Sequence, residues 1–303
     1  MALESAVMRA IRRRAFLRAC AAVAAAAPVA RLRSAAAAPA AGPRALGKPV
    51  GLQLYSLRKY LPQDVPGTLA KIRAMGFTEV EGGDTYKLGT EAFGAALKKA
   101  GLTVASEHHG YEQWRDDTAG ALKQATALGA RYAGCAWIPH GERFTREDAL
   151  RAAADFNKWG KAAKQAGLRF FYHAHGYEFE ASPEGTLLDT LLEETDPALV
   201  GLEADIFWVK RGGGDPVKLF QAYPGRIPLT HLKDMKAGLA TDKPTGQAPD
   251  DSNVVLGTGQ IDWKAVLAAA NAAGVERHFI EDESPAVMEQ VPESLKFLAG
   301  LKA

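Results

Sequence analysis

Residues 166–179 read AGLRFFYHAHGYEF. Gly167 stands where a helix needs a left-handed residue to stop, because glycine takes a positive φ without steric cost. The run that follows, 168–175, is short and rich in aromatic residues, as a strand should be. Side chains on a strand alternate, so Phe171, His173 and His175 share one face. Two imidazoles on one face are poor packing material, and these two fall at the strand's end. A metal, a substrate or internal hydrogen bonds would each account for them.

The same unit recurs along the chain. β-rich runs begin near Val50, Phe77, Leu102, Arg131, Leu168, Leu199, Arg226 and Arg277. Six glycines (76, 101, 129, 167, 225 and 274) stand just before a run, as helix stop signals. Between the runs lie Ala/Leu/Lys-rich segments with helical periodicity, such as 116–128, 147–166 and 262–273. Eight strands alternating with helices predict an α/β fold, a closed (β/α)8 TIM barrel forming a single domain. A doubly wound open sheet would carry a Gly-rich turn after its first strand, and LQLYSLRKYLP (52–62) has none. The polar insertion 236–256 lengthens the loop after the seventh strand, where a barrel keeps its active-site mouth.

Ahead of the barrel, Arg-Arg-Ala-Phe-Leu-Arg (13–18), an apolar alanine-rich stretch and SAAAAPAAG (34–42) make a twin-arginine signal peptide with small-residue cleavage sites. This divides the chain into a cleavable signal segment and linker, 1–41, and a barrel domain, 42–303, and predicts a periplasmic, exported protein that does not engage the membrane once the signal is removed. The full chain has 37 basic and 35 acidic residues. Seven arginines and Glu4 leave with the leader, so the remainder carries 30 basic and 34 acidic residues. A net charge of −4 without a polybasic stripe argues against a nucleic-acid partner. Only Cys135 remains beyond the leader, so no internal disulfide forms. Self-association is left open.

In a TIM barrel the chemistry sits at the C-terminal ends of the strands. Those ends carry His108 and His109, then His173 and His175 with Glu178 beyond, Glu203 and Asp205, His231 and Lys233, and Glu281. Gln53, Tyr55, Glu81 and Trp137 end the less charged strands. Of the seven histidines, five fall at strand ends, more than scattered packing residues would. His173, Asp205, His231 and Glu281 come from four consecutive strands and form a candidate set for one divalent ion such as Mn, Zn, Co or Fe. Glu203 reads better as a buried carboxylate paired with Lys233 or Arg169. Gly257-Thr258-Gly259 is a weak candidate phosphate cradle.

The motifs GLQLYSLR (51–58), YHAHGYEF (172–179), EETDPALV (193–200), ADIFWV (204–209), PGRIPLTHLKDM (224–235) and GTGQIDW (257–263) resemble the xylose isomerase-like TIM barrel superfamily, the sugar phosphate isomerases/epimerases. The resemblance covers residues 49 to about 300 and is nearest to an exported branch. It implies a divalent-metal-dependent sugar isomerase or epimerase working through a metal-stabilised enediolate. Asp205, His231 and Glu281 match three family ligands, but His173 stands where the epimerases have glutamate. That departure removes one of their two bases, leaving Glu281, Lys233 or Glu178 to act. His108, His175, Trp137, Gln53, Tyr55 and Glu81 would bind the sugar or keto-sugar. A 3-keto-glycoside lyase, hydrolase or dehydratase using the same metal is the alternative, and an exported sugar-binding protein without turnover is a further one.

Overall fold

A computed structural model of the chain describes residues 42–183 and 185–301; the leader expected over 1–41 lies outside them. Eight strands line the barrel: β1 Lys48–Gln53, β2 Glu79–Gly82, β3 Thr103–His109, β4 Tyr132–Cys135, β5 Arg169–His173, β6 Val200–Asp205, β7 Leu229–Leu232 and β8 Arg277–Ile280. Each pairs in parallel with the next, and β8 pairs with β1, so the sheet closes on itself. All eight begin within three residues of where the sequence predicts them.

Helices fill the outer layer: α1 Val65–Ala74, α2 Thr90–Ala100, α3 Tyr111–Asp116, α4 Thr118–Leu128, α5 Arg146–Gln165, α6 Leu187–Glu193, α7 Ile206–Arg211, α8 Pro216–Ala222, α9 Trp263–Ala272 and α10 Val287–Gly300. The six stop glycines all have φ between 74° and 109°, the left-handed region that the reading required. After β3 and β6 the chain makes two helical segments instead of one. Asp117 ends α3 and caps α4, while Gly212–Gly214 separate α7 from α8, whose N-cap Asp215 and first-turn Pro216 restart the helix. No helix among the described residues is long and apolar enough to cross a membrane.

The barrel interior is layered. Tyr132, Phe171, Leu229 and Phe279 form a buried plug. Strand periodicity then puts His173, His231 and Glu281 two residues further along their strands, one layer towards the mouth. Two glycines make this plug fit: a Cβ on Gly134 would lie 2.5 Å from the Phe171 ring, and one on Gly51 2.6 Å from the Phe279 ring. The floor of the site is therefore two aromatic rings seated against bare backbone. Gly134→Ala should destabilise the barrel by about 1–3 kcal/mol through overpacking, measured as a lower urea midpoint. Phe171→Leu in the same chain should return part of that loss; an unchanged midpoint for Gly134→Ala would refute the fit.

Candidate active site and metal centre

The strand ends converge on a cavity of about 560 Å³, within the roughly 300–1,000 Å³ usual for small-molecule sites. His108, His173, His175 and Glu281 line its inner part, and Tyr55, Tyr86, Trp137 and Trp208 its walls and rim. The insertion 236–252 reaches this mouth. Its stem is a two-rung pairing of Asp234–Met235 with Asn253–Val254, Arg211 binds the carbonyl of Ala240, and Gly246 lies against Trp137 and Tyr177.

His173, Asp205, His231 and Glu281 come together: one ligand atom from each lies within 4.8 Å of the others. Asp205 ends β6 and caps α7, so its Oδ1 accepts from the Trp208 amide at 2.9 Å. Its Oδ2 points the other way, 3.7 Å from both His173 Nε2 and His231 Nδ1. That is beyond hydrogen-bond reach. Asp205 Oδ2 and both ring nitrogens of His173 are buried without partners, a cost of about 1–3 kcal/mol for each such group. A divalent ion would relieve Asp205 Oδ2 and the His173 Nε2 that faces it together, and mixed imidazole and carboxylate donors suit Mn, Zn, Co or Fe. The residues present therefore fit the ion.

Beneath this set lies a second one. Glu81 Oε2 is 2.6 Å from His231 Nε2 and 3.3 Å from His108 Nε2. Glu203 Oε2 is 2.7 Å from His108 Nε2 and 3.3 Å from His231 Nε2. Ligands about 2.1 Å from a tetrahedral ion stand roughly 3.4 Å apart. The shorter contacts here are hydrogen bonds, and the ring of four holds itself together. Glu203 thus pairs with histidines and not with Lys233 or Arg169; Arg169 binds Glu276 on the far side of the plug.

Burial and the nearby Glu81 charge lift Glu203 to about 7, against the pull of His231 and His108. Burial pushes Glu81 up too, but His108 and His231 outweigh it and hold that carboxyl below its usual range. His108 is pushed down by burial and more strongly raised by Glu81 and Glu203, to about 10. It stays an imidazolium at neutral pH. Its Nε2 is taken by the two carboxylates, and the ring lines the cavity.

Several expected site residues take other positions. Glu81 is fully buried under the cluster, out of reach of a substrate. Gln53 lines the cavity, but its amide is engaged at both ends, by Glu81 and by the Tyr55 amide. Glu178 sits in the turn Tyr177–Phe179 and binds the Tyr172 hydroxyl and the His175 amide. Tyr172 alternates with His173 and points into the helix layer, against Phe156. Glu178 is therefore outside the barrel wall, turned away from the cluster, and cannot serve as base. Lys233 is buried against Glu281 at 3.1 Å and against Glu283 and Asp205. Burial works against its charge, yet these carboxylates outweigh it and raise its pKa above the ordinary lysine value, which opposes the expected role as base.

His175 and Trp137 meet edge to face at the wall, 4.9 Å between ring centroids, and Tyr55 stands 51% exposed at the rim with the Arg58 guanidinium over its ring. Sequence reasoning missed Glu283, Trp208 and Asp84. Glu283 was signalled by the acidic run 281–283; the other two lie beyond strand ends, where alternation no longer fixes direction. The Gly257 and Gly259 amides do cradle an anion, but it is the chain's own Asp234, whose Oδ2 also accepts from Trp263 Nε1.

Glu178 gives a pH test independent of the metal set. Burial raises it from 4.5 to about 7, with the hydrogen bonds from Tyr172 and the backbone opposing. Between those values the native protein holds a proton that the unfolded chain has lost. Its contribution is thus complete below pH 4.5 and is lost as the pH rises through 7. Glu178→Gln cannot ionise, so its urea midpoint should gain on the wild type between pH 4.5 and about 7. Parallel pH profiles would refute this.

Comparison with known proteins agrees with this architecture. The family model for the xylose isomerase-like TIM barrel matches residues 69–301. A curated relative called inosose dehydratase, from Geobacillus thermodenitrificans strain NG80-2, is 27% identical over 257 residues, 75% of this chain and 85% of its own. The crystal structure of a sugar phosphate isomerase/epimerase from Parabacteroides distasonis ATCC 8503 superposes with a TM-score of 0.67 at 27% identity, covering 84% of this chain and 94% of that one. A zinc-bound IolI protein shares the fold, with a TM-score of 0.61 at 15% identity over 82% of this chain and 94% of its own. The chain belongs to the xylose isomerase-like TIM barrel family.

Proposed function

We propose that this member of the xylose isomerase-like TIM barrel family is a divalent-metal-dependent dehydratase that eliminates water from a cyclic polyol ketone, a sugar-like keto compound. The observation that carries the reading is the unlike pair of proton-transfer groups at the cavity. One wall offers the Glu281 carboxylate, another the His108 imidazolium, with His173 where an epimerase would have its second carboxylate. A symmetric exchange between two faces wants two like bases, whereas elimination wants one base and one acid. The inosose dehydratase relative, aligned over most of its length, supports the same branch.

An ion held by His173, Asp205 Oδ2, His231 Nδ1 and Glu281 would polarise the ketone oxygen and acidify the neighbouring C–H. Glu281 Oε2 takes the hydrogen bond of Lys233 and faces His231 Nδ1 across the ion position, leaving Oε1 to the cavity as the base. Burial pushes Glu281 up, but Lys233 and His231 outweigh it and keep it ionised. Oε1 takes the proton α to the carbonyl, and the C–H electrons form the new C=C bond. The β C–O bond breaks, and His108 donates a proton to the departing hydroxyl, which leaves as water. His175 and Trp137 hold the ring at the wall.

A second reading, isomerisation, draws on the Parabacteroides isomerase/epimerase structure. Incubation of the metal-reconstituted protein with inososes and keto-sugars in D2O separates the two. A dehydratase yields a product lighter by one water with enone absorbance, and an isomerase yields a product of unchanged composition carrying deuterium. Glu281→Gln and His108→Asn should each lower kcat by roughly 10²–10⁴-fold. No water loss from any such ketone, with metal bound, would overturn the dehydratase reading.

Metal content is the companion test. The wild type should carry one equivalent of a transition metal, and His231→Ala should lose it, as read by elemental analysis. A wild type that takes up none after reconstitution with Mn²⁺, Zn²⁺ or Co²⁺ would remove the ion from the mechanism.

A further inference from the structure

His231 belongs to both clusters, with a different nitrogen in each. Nδ1 faces Glu281 Oε2 at 3.2 Å and Asp205 Oδ2 at 3.7 Å. Nε2 faces Glu81 Oε2 at 2.6 Å. The orientation of Glu81 is itself fixed from β1. The Tyr55 amide donates to Gln53 Oε1 at 3.0 Å, which turns the Gln53 Nε2 group towards Glu81, where it donates to the same Oε2 at 2.8 Å. Gln53 and Glu81 are register partners on adjacent strands, so this anchor is set by the sheet. An oxygen already receiving the Gln53 amide and faced by two imidazole nitrogens is an acceptor. The hydrogen shared with His231 therefore belongs to Nε2.

We propose that Glu81 is the positioning carboxylate of the metal centre, keeping a hydrogen on His231 Nε2 so that Nδ1 is the atom the ring presents to the ion beside Asp205, His173 and Glu281. The inference rests on the reading of that cluster as a divalent-ion site. Histidine ligands are usually oriented by a carboxylate on their second nitrogen, which fixes tautomer and ring plane. Glu81 fills this place better than Glu203, which lies 3.3 Å from the same nitrogen and is committed to His108 at 2.7 Å. Being fully buried, Glu81 acts through His231 and not on a substrate.

The test is metal affinity, with activity left aside. Purified wild type, Glu81→Gln and Glu81→Ala are titrated with Zn²⁺ in competition with a chromophoric chelator. The wild type should bind one equivalent. Glu81→Ala should raise Kd by about 10–100-fold, and Glu81→Gln, whose amide oxygen can still accept from Nε2, by clearly less. The ¹⁵N imidazole spectrum of the Zn²⁺-loaded wild type should show hydrogen on Nε2 of His231 and metal on Nδ1. The opposite assignment, or equal Kd values in folded variants, would overturn the positioning role. Two equivalents in the wild type, one lost in the variants, would make Glu81 a ligand and overturn it too. No binding by the wild type would instead remove the ion site on which the inference rests. Should Glu81→Ala fail to fold, the glutamine variant and the wild-type spectrum still decide.

Discussion

Four carboxylates, those of Glu81, Glu203, Asp205 and Glu281, are buried in one region of the barrel end. Each would resist leaving water by several kcal/mol if it stood alone. They are tolerated because Lys233 and His231 are buried among them and the partly buried His108 binds Glu81 and Glu203. Much else depends on this balance. The strands must stay in register, since a slip of one residue would turn every member of the set into the helix layer. The plug below must exclude water, which is why Phe171 and Phe279 lie against glycine backbone. Asp205 Oδ2 and the ring nitrogens of His173 are among the buried polar atoms that the protein's own groups leave unmatched, and these lie together at the cavity end of the set.

The two clusters differ in kind. The inner four groups are tied to one another by close hydrogen bonds, so they cannot reorganise cheaply during a reaction. The outer four hold their donors apart. A rigid inner set supporting an open outer one is the arrangement that lets charged groups act without first being rearranged. His231 joins the two through opposite edges of one ring, and His108 stacks on it, with ring planes 12° apart.

The barrel was legible because its signals are local and repeated. A glycine after a helix and a strand period of two do not depend on what lies elsewhere in the chain, and Gly76 to Gly274 all took the backbone conformation this reading required. The convergence of His173, Asp205, His231 and Glu281 was legible for the same reason, since alternation places all four on the inner face. Depth was not legible. Glu81 shares that face but ends beneath the site, held by Gln53 and His231, because alternation tells which way a side chain points and not how many layers lie above it. Glu178 failed differently. It follows the strand in a turn preceded by the left-handed Gly176, where strand parity no longer applies. Lys233 was expected as a base near a metal charge, and Glu283, two residues past Glu281, adds a carboxylate that opposes loss of its proton.

The glycine pair at 257 and 259 carries a consequence for what the barrel admits. Its amides, together with the Trp263 indole, are already committed to Asp234. TIM barrels often bind a substrate's phosphate in the loops following the seventh and eighth strands. Here both glycine amides are turned inward onto a buried carboxylate, so this corner has no free pair of backbone donors to offer a phosphate.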